Sequence, residues 1–129
     1  MNRLPDNPSE PEPNIAEAYR ECAEITRRSG SSFASAFWML PKPKRNALHA
    51  IYAFCRLADD IADDPEVAGD RTALLARWRE ELDGAYRGKA QHAVGVALSD
   101  AIERFRLPEG VFLDLLAGVE FDLADGPIE

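Results

Sequence analysis

Residues 43–64, PKRNALHAIYAFCRLADDIADD, decide how the chain folds. Pro43 suits the first turn of a helix, where a missing N–H leaves no bond unmade, and Pro65 closes the run. Each helical residue turns the chain by about 100°, so with Tyr52 as zero Arg56 falls near +40°, Asp59 near −20° and Asp63 near +20°. These four share one stripe, and Asp60 lies at its edge. Ala50, Phe54, Leu57 and Ile61 occupy the opposite side, while Ile51, Ala53, Cys55, Ala58 and Ala62 fill much of the rest. An apolar arc this wide is unusual for a helix that faces water.

The flanking sequence has the same period. Asn14 is placed to cap a helix through IAEAYRECAEITRR, with Gly30 as its stop, and a short helical segment is expected over residues 32–40. Leu74, Leu75, Trp78, Leu82, Ala85 and Tyr86 recur at helical spacing up to Gly88. Two more helices are predicted over residues 91–105 and 109–123, and no strand-like alternation or hairpin signal competes. The fold class is therefore all-α. The first 13 residues hold four of the nine prolines without any apolar period, and they read as a disordered, Pro-rich arm before a single domain over 14–129.

A chain of 129 residues with 46% apolar content can form one domain with a real core. Its 23 Asp plus Glu against 15 Lys plus Arg give a net charge of −8, which argues against nucleic acid as a partner. No stretch approaches the roughly 20 apolar residues of a membrane span. The N-terminus lacks a basic patch followed by an apolar run, so the expected compartment is the cytoplasm. Cys22 and Cys55 read as small buried apolar residues and not as a disulfide or metal pair.

Asp59 and Asp63, four residues apart, carry Cβ atoms about 6 Å from each other on adjacent turns. Such a pair repels itself unless a cation intervenes. Mg²⁺ takes carboxylate oxygens and keeps waters that phosphate oxygens can replace, so the pair suits a Mg²⁺ bridge to a diphosphate, with Arg56 beside it for the same anion. The competing reading is a solvated helix end with its acids in surface ion pairs. Acids at a C-terminal end oppose the helix dipole, which tilts the balance toward a bound cation by only a few tenths of a kcal/mol per charge. Residues Ser29 to Ser32 fit either backbone capping or phosphate binding.

The run SGSSFASAFWMLPKPKRNALHAIYAFCRLADDIADD resembles the squalene and phytoene synthase family of head-to-head prenyl transferases. The likeness rests on the Ser-x-Ser-Ser-Phe entry at Ser29 to Phe33, the Leu40-Pro41 turn followed by Arg45, the Tyr-Ala-Phe-Cys-Arg run from Tyr52 to Arg56, and the aspartate-rich motif at Asp59, Asp60 and Asp63. A weaker likeness extends from about Tyr19 to Leu123. The resemblance implies an isoprenoid-synthase helical fold and an enzyme joining two farnesyl or geranylgeranyl diphosphates with Mg²⁺-assisted diphosphate release. It also implies roles: Asp59 and Asp63 as metal-binding carboxylates with Asp60 in support, Tyr52, Arg56 and Ser32 on the diphosphate with Ser29 and Ser31 nearby, and Phe33 against the prenyl chain. Phe37 and Trp38 fit either apolar cavity walls or plain core.

Tyr19, Tyr86, His49 and His92 gain no role from spacing, and Glu120 and Asp122 match a family Gly-x-x-x-Asp stretch only loosely. Members of the family carry a second aspartate-rich motif, which these 129 residues do not contain. The chain therefore reads as the N-terminal part of such an enzyme, inactive alone, with its apolar arc around Phe54, Leu57 and Ile61 expected to stay partly exposed. A lipid product implies peripheral contact with a membrane. A non-catalytic helical assembly protein of the same family is the alternative reading, and an ionisation-dependent terpene cyclase a more distant one.

Overall fold

The computed structural model describes residues 13–29, 36–64, 66 and 69–124. They form five helices, α1 (Pro13–Arg28), α2 (Lys42–Asp63), α3 (Arg71–Arg87), α4 (Ala93–Phe105) and α5 (Glu109–Ala124), and no strand occurs among the described residues. The expected arm lies outside the described residues up to residue 12. Helix α1 already includes Pro13, so Asn14 sits in its first turn and does not cap it. Of the short helix expected over residues 32–40, Ala36 and Phe37 are helical and residues 38–40 turn out of it, with the Met39 and Leu40 N–H groups donating to the carbonyls of Ala36 and Phe37 at 3.3 and 3.0 Å; residues 32–35 lie outside the described residues.

Helix ends follow local chemistry. Pro43 lies in the first turn of α2, and Asp64, in extended geometry, ends it. Asp70 caps α3 by accepting from the N–H groups of Thr72 and Ala73, and Gly88 ends it at φ 74°, the left-handed conformation glycine adopts without strain. The helix expected from residue 91 begins at Ala93 because His92 is its cap, its Nδ1 accepting from Val94 N–H at 3.0 Å. The Glu81 carboxylate meanwhile accepts from the N–H groups of Gln91 and His92 at 2.9 and 2.8 Å, fixing the preceding loop.

Helix α2 packs against each of the other four. Its Ala47, Ala50, Ala53 and Ala58 are buried, and small side chains let neighbouring backbones come close. Phe54, fully enclosed, stacks on Trp78 of α3 at 5.1 Å between ring centroids and meets Phe112 of α5 edge-on at 5.7 Å. The Trp78 indole N–H donates to the Phe54 carbonyl at 3.1 Å, so the ring's one polar atom is also satisfied. Cys22, Leu82, Val94, Leu98 and Leu116 complete the core. The expected opening at Phe54 is thus corrected. Its face is covered because α3, α4 and α5 fold back over α2, leaving Leu57 and Ile61 half-buried at the edge. Among the described residues the exposed large apolar side chains are Trp38, Met39, Phe105, Val111 and Phe121.

Candidate functional site

The side of α2 away from that core carries Tyr52, Arg56, Asp59 and Asp63. Tyr52 is half-buried, and Arg56, Asp59 and Asp63 are exposed. The packing that buries Phe54 and its alanines therefore turns the polar stripe outward. At its N-terminal end the Tyr52 hydroxyl lies 2.9 Å from Ser29 Oγ at the end of α1. Ser29 donates its only proton to the Thr26 carbonyl at 2.7 Å, so Tyr52 donates to Ser29. Two site residues 23 positions apart are thereby brought together. Ser31, Ser32 and Phe33 lie outside the described residues.

Arg56 and Asp60, one turn apart, form an ion pair at 3.1 Å. Both line a cavity of about 390 Å³ with Arg28 and Ser29 of the α1 end, Glu21, and His92 of the α4 cap. The two guanidinium groups there are balanced by the Glu21 and Asp60 carboxylates, with Arg56 held by Asp60 and Arg28 by Glu24 at 3.3 Å, so an anion would bind by taking over Arg56 from Asp60. Asp59 and Asp63 have no ion-pair partner among the described residues. Burial, and secondarily the charge of Asp63, hold the Asp59 carboxyl above the usual carboxylate range against the opposing pull of Arg56. Like-charge crowding of this kind is what a divalent cation relieves.

Among the described residues no group of three or more His, Cys, Asp or Glu side chains converges into a protein cage for a metal. The donor set is two carboxylates one turn apart, with Asp60 turned to Arg56. That set fits Mg²⁺, which takes one or two carboxylates and completes its shell with water and phosphate oxygens. The neighbouring Cys55 thiol is pushed up to about 11 by burial and by Asp59, and Cys22 to about 12 by burial. Both are free thiols, and they are protonated at neutral pH.

Several of the other residues have structural partners. Glu120 bridges α5 to Arg79 of α3 at 2.7 Å, and Asp122 is exposed. Tyr19 donates to Asp100 at 2.6 Å, and Asp100 also accepts from Arg104 at 2.7 Å. Tyr86 donates to the Leu107 carbonyl at 2.8 Å. His49 meets the Phe37 ring edge-on at 5.7 Å, and its Nδ1 is buried without a hydrogen-bond partner. Burial, then the charge of Arg45, hold its imidazole below the usual histidine range. Trp38 is no core residue: it is 75% exposed, with the Arg45 guanidinium 5.3 Å above its ring.

One residue of the site was invisible to sequence reasoning. Arg71, which opens α3, donates from Nη1 to the Ile61 carbonyl at 2.6 Å and from Nη2 to the Asp64 carbonyl at 2.8 Å. It satisfies two orphan carbonyls at the C-terminal end of α2, the turn that carries Asp63. No spacing rule points to it, because the link crosses a loop.

This geometry can be set beside known proteins. Residues 26–129 match the family model described as squalene/phytoene synthase. The chain belongs to that family. It is 33% identical over 123 residues to the 15-cis-phytoene synthase of Synechococcus elongatus, covering 95% of this chain and 40% of that protein. It is 34% identical over 119 residues to the 15-cis-phytoene synthase of a Synechocystis species, covering 92% of this chain and 35% of that one. Among solved structures, the squalene synthase HpnC from Alicyclobacillus acidocaldarius superposes with a TM-score of 0.78 at 32% identity, over 87% of this chain and 42% of that one. A ligand-bound dehydrosqualene synthase gives 0.76 at 32% identity, over 85% and 38%. The helices are thus those of the isoprenoid-synthase fold, as the squalene/phytoene synthase resemblance implied. The chain spans 35–40% of the length of these two phytoene synthases.

Proposed function

We propose that this chain supplies the aspartate-bearing wall of a squalene/phytoene synthase type prenyl transferase, which joins two farnesyl or geranylgeranyl diphosphates head to head. The observation that carries the reading is the single open face of α2, on which Tyr52, Arg56, Asp59 and Asp63 line up opposite the packed core. Asp59 and Asp63 would hold Mg²⁺, with Asp60 in support through Arg56. When bound, Mg²⁺ neutralises charge on the departing diphosphate. Arg56 exchanges its Asp60 carboxylate for a diphosphate oxygen, keeping a charge-assisted bond throughout. Tyr52 would turn its one hydroxyl proton from Ser29 to the same anion, with Ser31 and Ser32 as further candidate contacts for it and Phe33 as the candidate to shield the prenyl carbocation from water.

Prenyl diphosphates and a hydrocarbon product are amphiphilic or apolar, and we read the protein as working at a membrane surface. Among the described residues no helix is long and apolar enough to cross a membrane. The test uses the protein expressed from its complete reading frame, incubated with each diphosphate and Mg²⁺. A head-to-head C30 or C40 product is expected, and its loss by several orders of magnitude in Asp59→Ala/Asp63→Ala. Unaltered turnover in that variant overturns the assignment. Intact folding without calorimetric binding of Mg²⁺ and pyrophosphate marks a non-catalytic assembly protein instead.

A further inference from the structure

Charge is sharply segregated along this acidic chain. Of its 23 Asp and Glu residues none lies between Glu24 and Asp59, an interval that holds Arg27, Arg28, Lys42, Lys44, Arg45 and Arg56. The fold gathers three of these cations at one end of the helix bundle, beside the turn over residues 36–40. Trp38 and Met39 project there, 75% and 85% exposed. Trp38 is not loose: the Arg45 guanidinium covers its ring at 5.3 Å and donates to its carbonyl at 3.4 Å. An aromatic held in place yet open to solvent gains nothing for the core.

Behind the turn lies an apolar cleft of about 280 Å³ between the N-terminal half of α2 and the end of α4. Leu40, Leu48, Ile51, Phe105 and Leu107 form its walls, and among the described residues Lys44 is its only charged lining residue. Phe105 is 38% exposed at its rim. The next residue, Arg106, takes a left-handed backbone at φ 55° and is exposed between Phe105 and Leu107. The acids nearest in sequence do not cancel this charge: Asp100 is paired with Arg104, Glu109 lies 3.6 Å from Arg87, and Glu103 is about 200° around α4 from Phe105.

We propose that this end of the bundle, with Trp38, Met39 and the Leu48/Phe105 cleft ringed by Lys42, Lys44, Arg45 and Arg106, docks on a bilayer carrying anionic headgroups. The charge pattern selects that occupant. An acidic chain approaches an anionic surface through local cationic clusters, so this ring favours one orientation of approach. Indole and thioether side chains enter the headgroup boundary, while Lys44 lays its stem along the cleft and keeps its ammonium among phosphates. The proposal rests on the reading of the chain as part of an enzyme for prenyl lipids and says which way it faces. Arg45 lies on the Tyr52 stripe and Asp59 is about 21 Å further along α2, so the polar face runs from the bilayer toward the carboxylates.

The test is flotation of the protein, expressed from its complete reading frame, with vesicles of phosphatidylcholine with and without phosphatidylglycerol at physiological ionic strength. Binding is expected only where phosphatidylglycerol is present. Each cation near the surface contributes on the order of fivefold to partitioning, so Lys42→Glu/Lys44→Glu should lose about 25-fold or more. Trp38→Ser/Met39→Ser should also release the protein, with melting curves showing that both variants fold. Brominated lipid should quench the wild-type fluorescence more than that of Trp38→Phe, because Trp38 is exposed and Trp78 is buried. Absence of flotation, flotation undiminished by these changes, or a Trp38 shielded from acrylamide without vesicles, as a protein-covered patch would be, each overturns the proposal. Flotation reads no turnover, so it fails or succeeds independently of Asp59→Ala/Asp63→Ala.

Discussion

Replacing Arg71 by Ala tests whether the aspartate-bearing turn is held from outside its own helix. The guanidinium makes two short bonds to α2 carbonyls, 2.6 Å to Ile61 and 2.8 Å to Asp64. Hydrogen bonds to charged groups contribute about 1.5–3 kcal/mol each. Arg71 is half-buried, so roughly half of that survives solvent screening, about 2 kcal/mol for the pair. Its positive charge also faces the negative end of the α2 dipole, a turn already crowded with Asp59, Asp60, Asp63 and Asp64, which adds a few tenths of a kcal/mol. For a domain of this size the sum corresponds to a fall in Tm of about 6–10 °C. Arg71→Lys keeps the charge but not the fork, and should lose about half as much. The decisive readout is local: amide exchange in the last turn of α2 should accelerate more than in its middle, and calorimetric binding of Mg²⁺ with pyrophosphate should weaken in parallel. Arg77→Ala, at an exposed position of the same helix, serves as the control and should change stability by under about 0.5 kcal/mol. An Arg71→Ala protein that melts with the wild type and shows unchanged exchange at Asp63 and Asp64 refutes the clamp.

Phe54→Ala removes a fully enclosed ring with two aromatic neighbours and should cost about 3–5 kcal/mol by denaturant unfolding, whereas Phe121→Ala, at a residue 67% exposed, should cost under about 0.5 kcal/mol. Similar losses for the two would show that the core does not centre on α2. Burial and the charge of Asp63 raise the folded-state titration of Asp59, so ionised Asp59 costs the metal-free fold stability above the ordinary carboxylate range, and that cost vanishes as pH falls through the folded value. Asp63→Asn should therefore lower the Asp59 titration midpoint in carboxyl-carbon NMR. A midpoint that stays or rises would mean that Asp63 does not act on Asp59.

Helical order was legible wherever punctuation was local. Pro43 marked the start of α2, Gly88 the end of α3, and the angular positions of Tyr52, Arg56, Asp59 and Asp63 followed from residue spacing alone. What spacing could not give was the partner of each face. Phe54 was expected to stand open because nothing in its own helix says that Trp78 and Phe112 return to cover it. Trp38 read as wall or, more readily, as core, since periodicity does not show whether a turn ends inside or outside the bundle. The roles of His92 as a cap, Glu81 as the anchor of the loop before α4, and Arg71 as a clamp depend on contacts across loops, and loop geometry leaves little trace in composition. The Arg56–Asp60 pair is a different case. Its spacing was visible, but whether Asp60 turns toward the arginine or toward a cation is a choice among rotamers that sequence does not record.

Helix α2 keeps its packed side and its polar, aspartate-bearing side on opposite halves of one cylinder. The two can therefore evolve separately. Losing Asp59 or Asp63 to a neutral residue removes charge from an open face and leaves every contact of Phe54 in place, so the ancestral shape outlives its chemistry at almost no thermodynamic cost. Descent from an enzyme to an inert assembly subunit then needs no refolding, only drift at a few outward positions. The outward positions are as open to regaining an acid as to losing one, whereas a change at Ala50, Ala53 or Ala58 disturbs contacts with neighbouring helices.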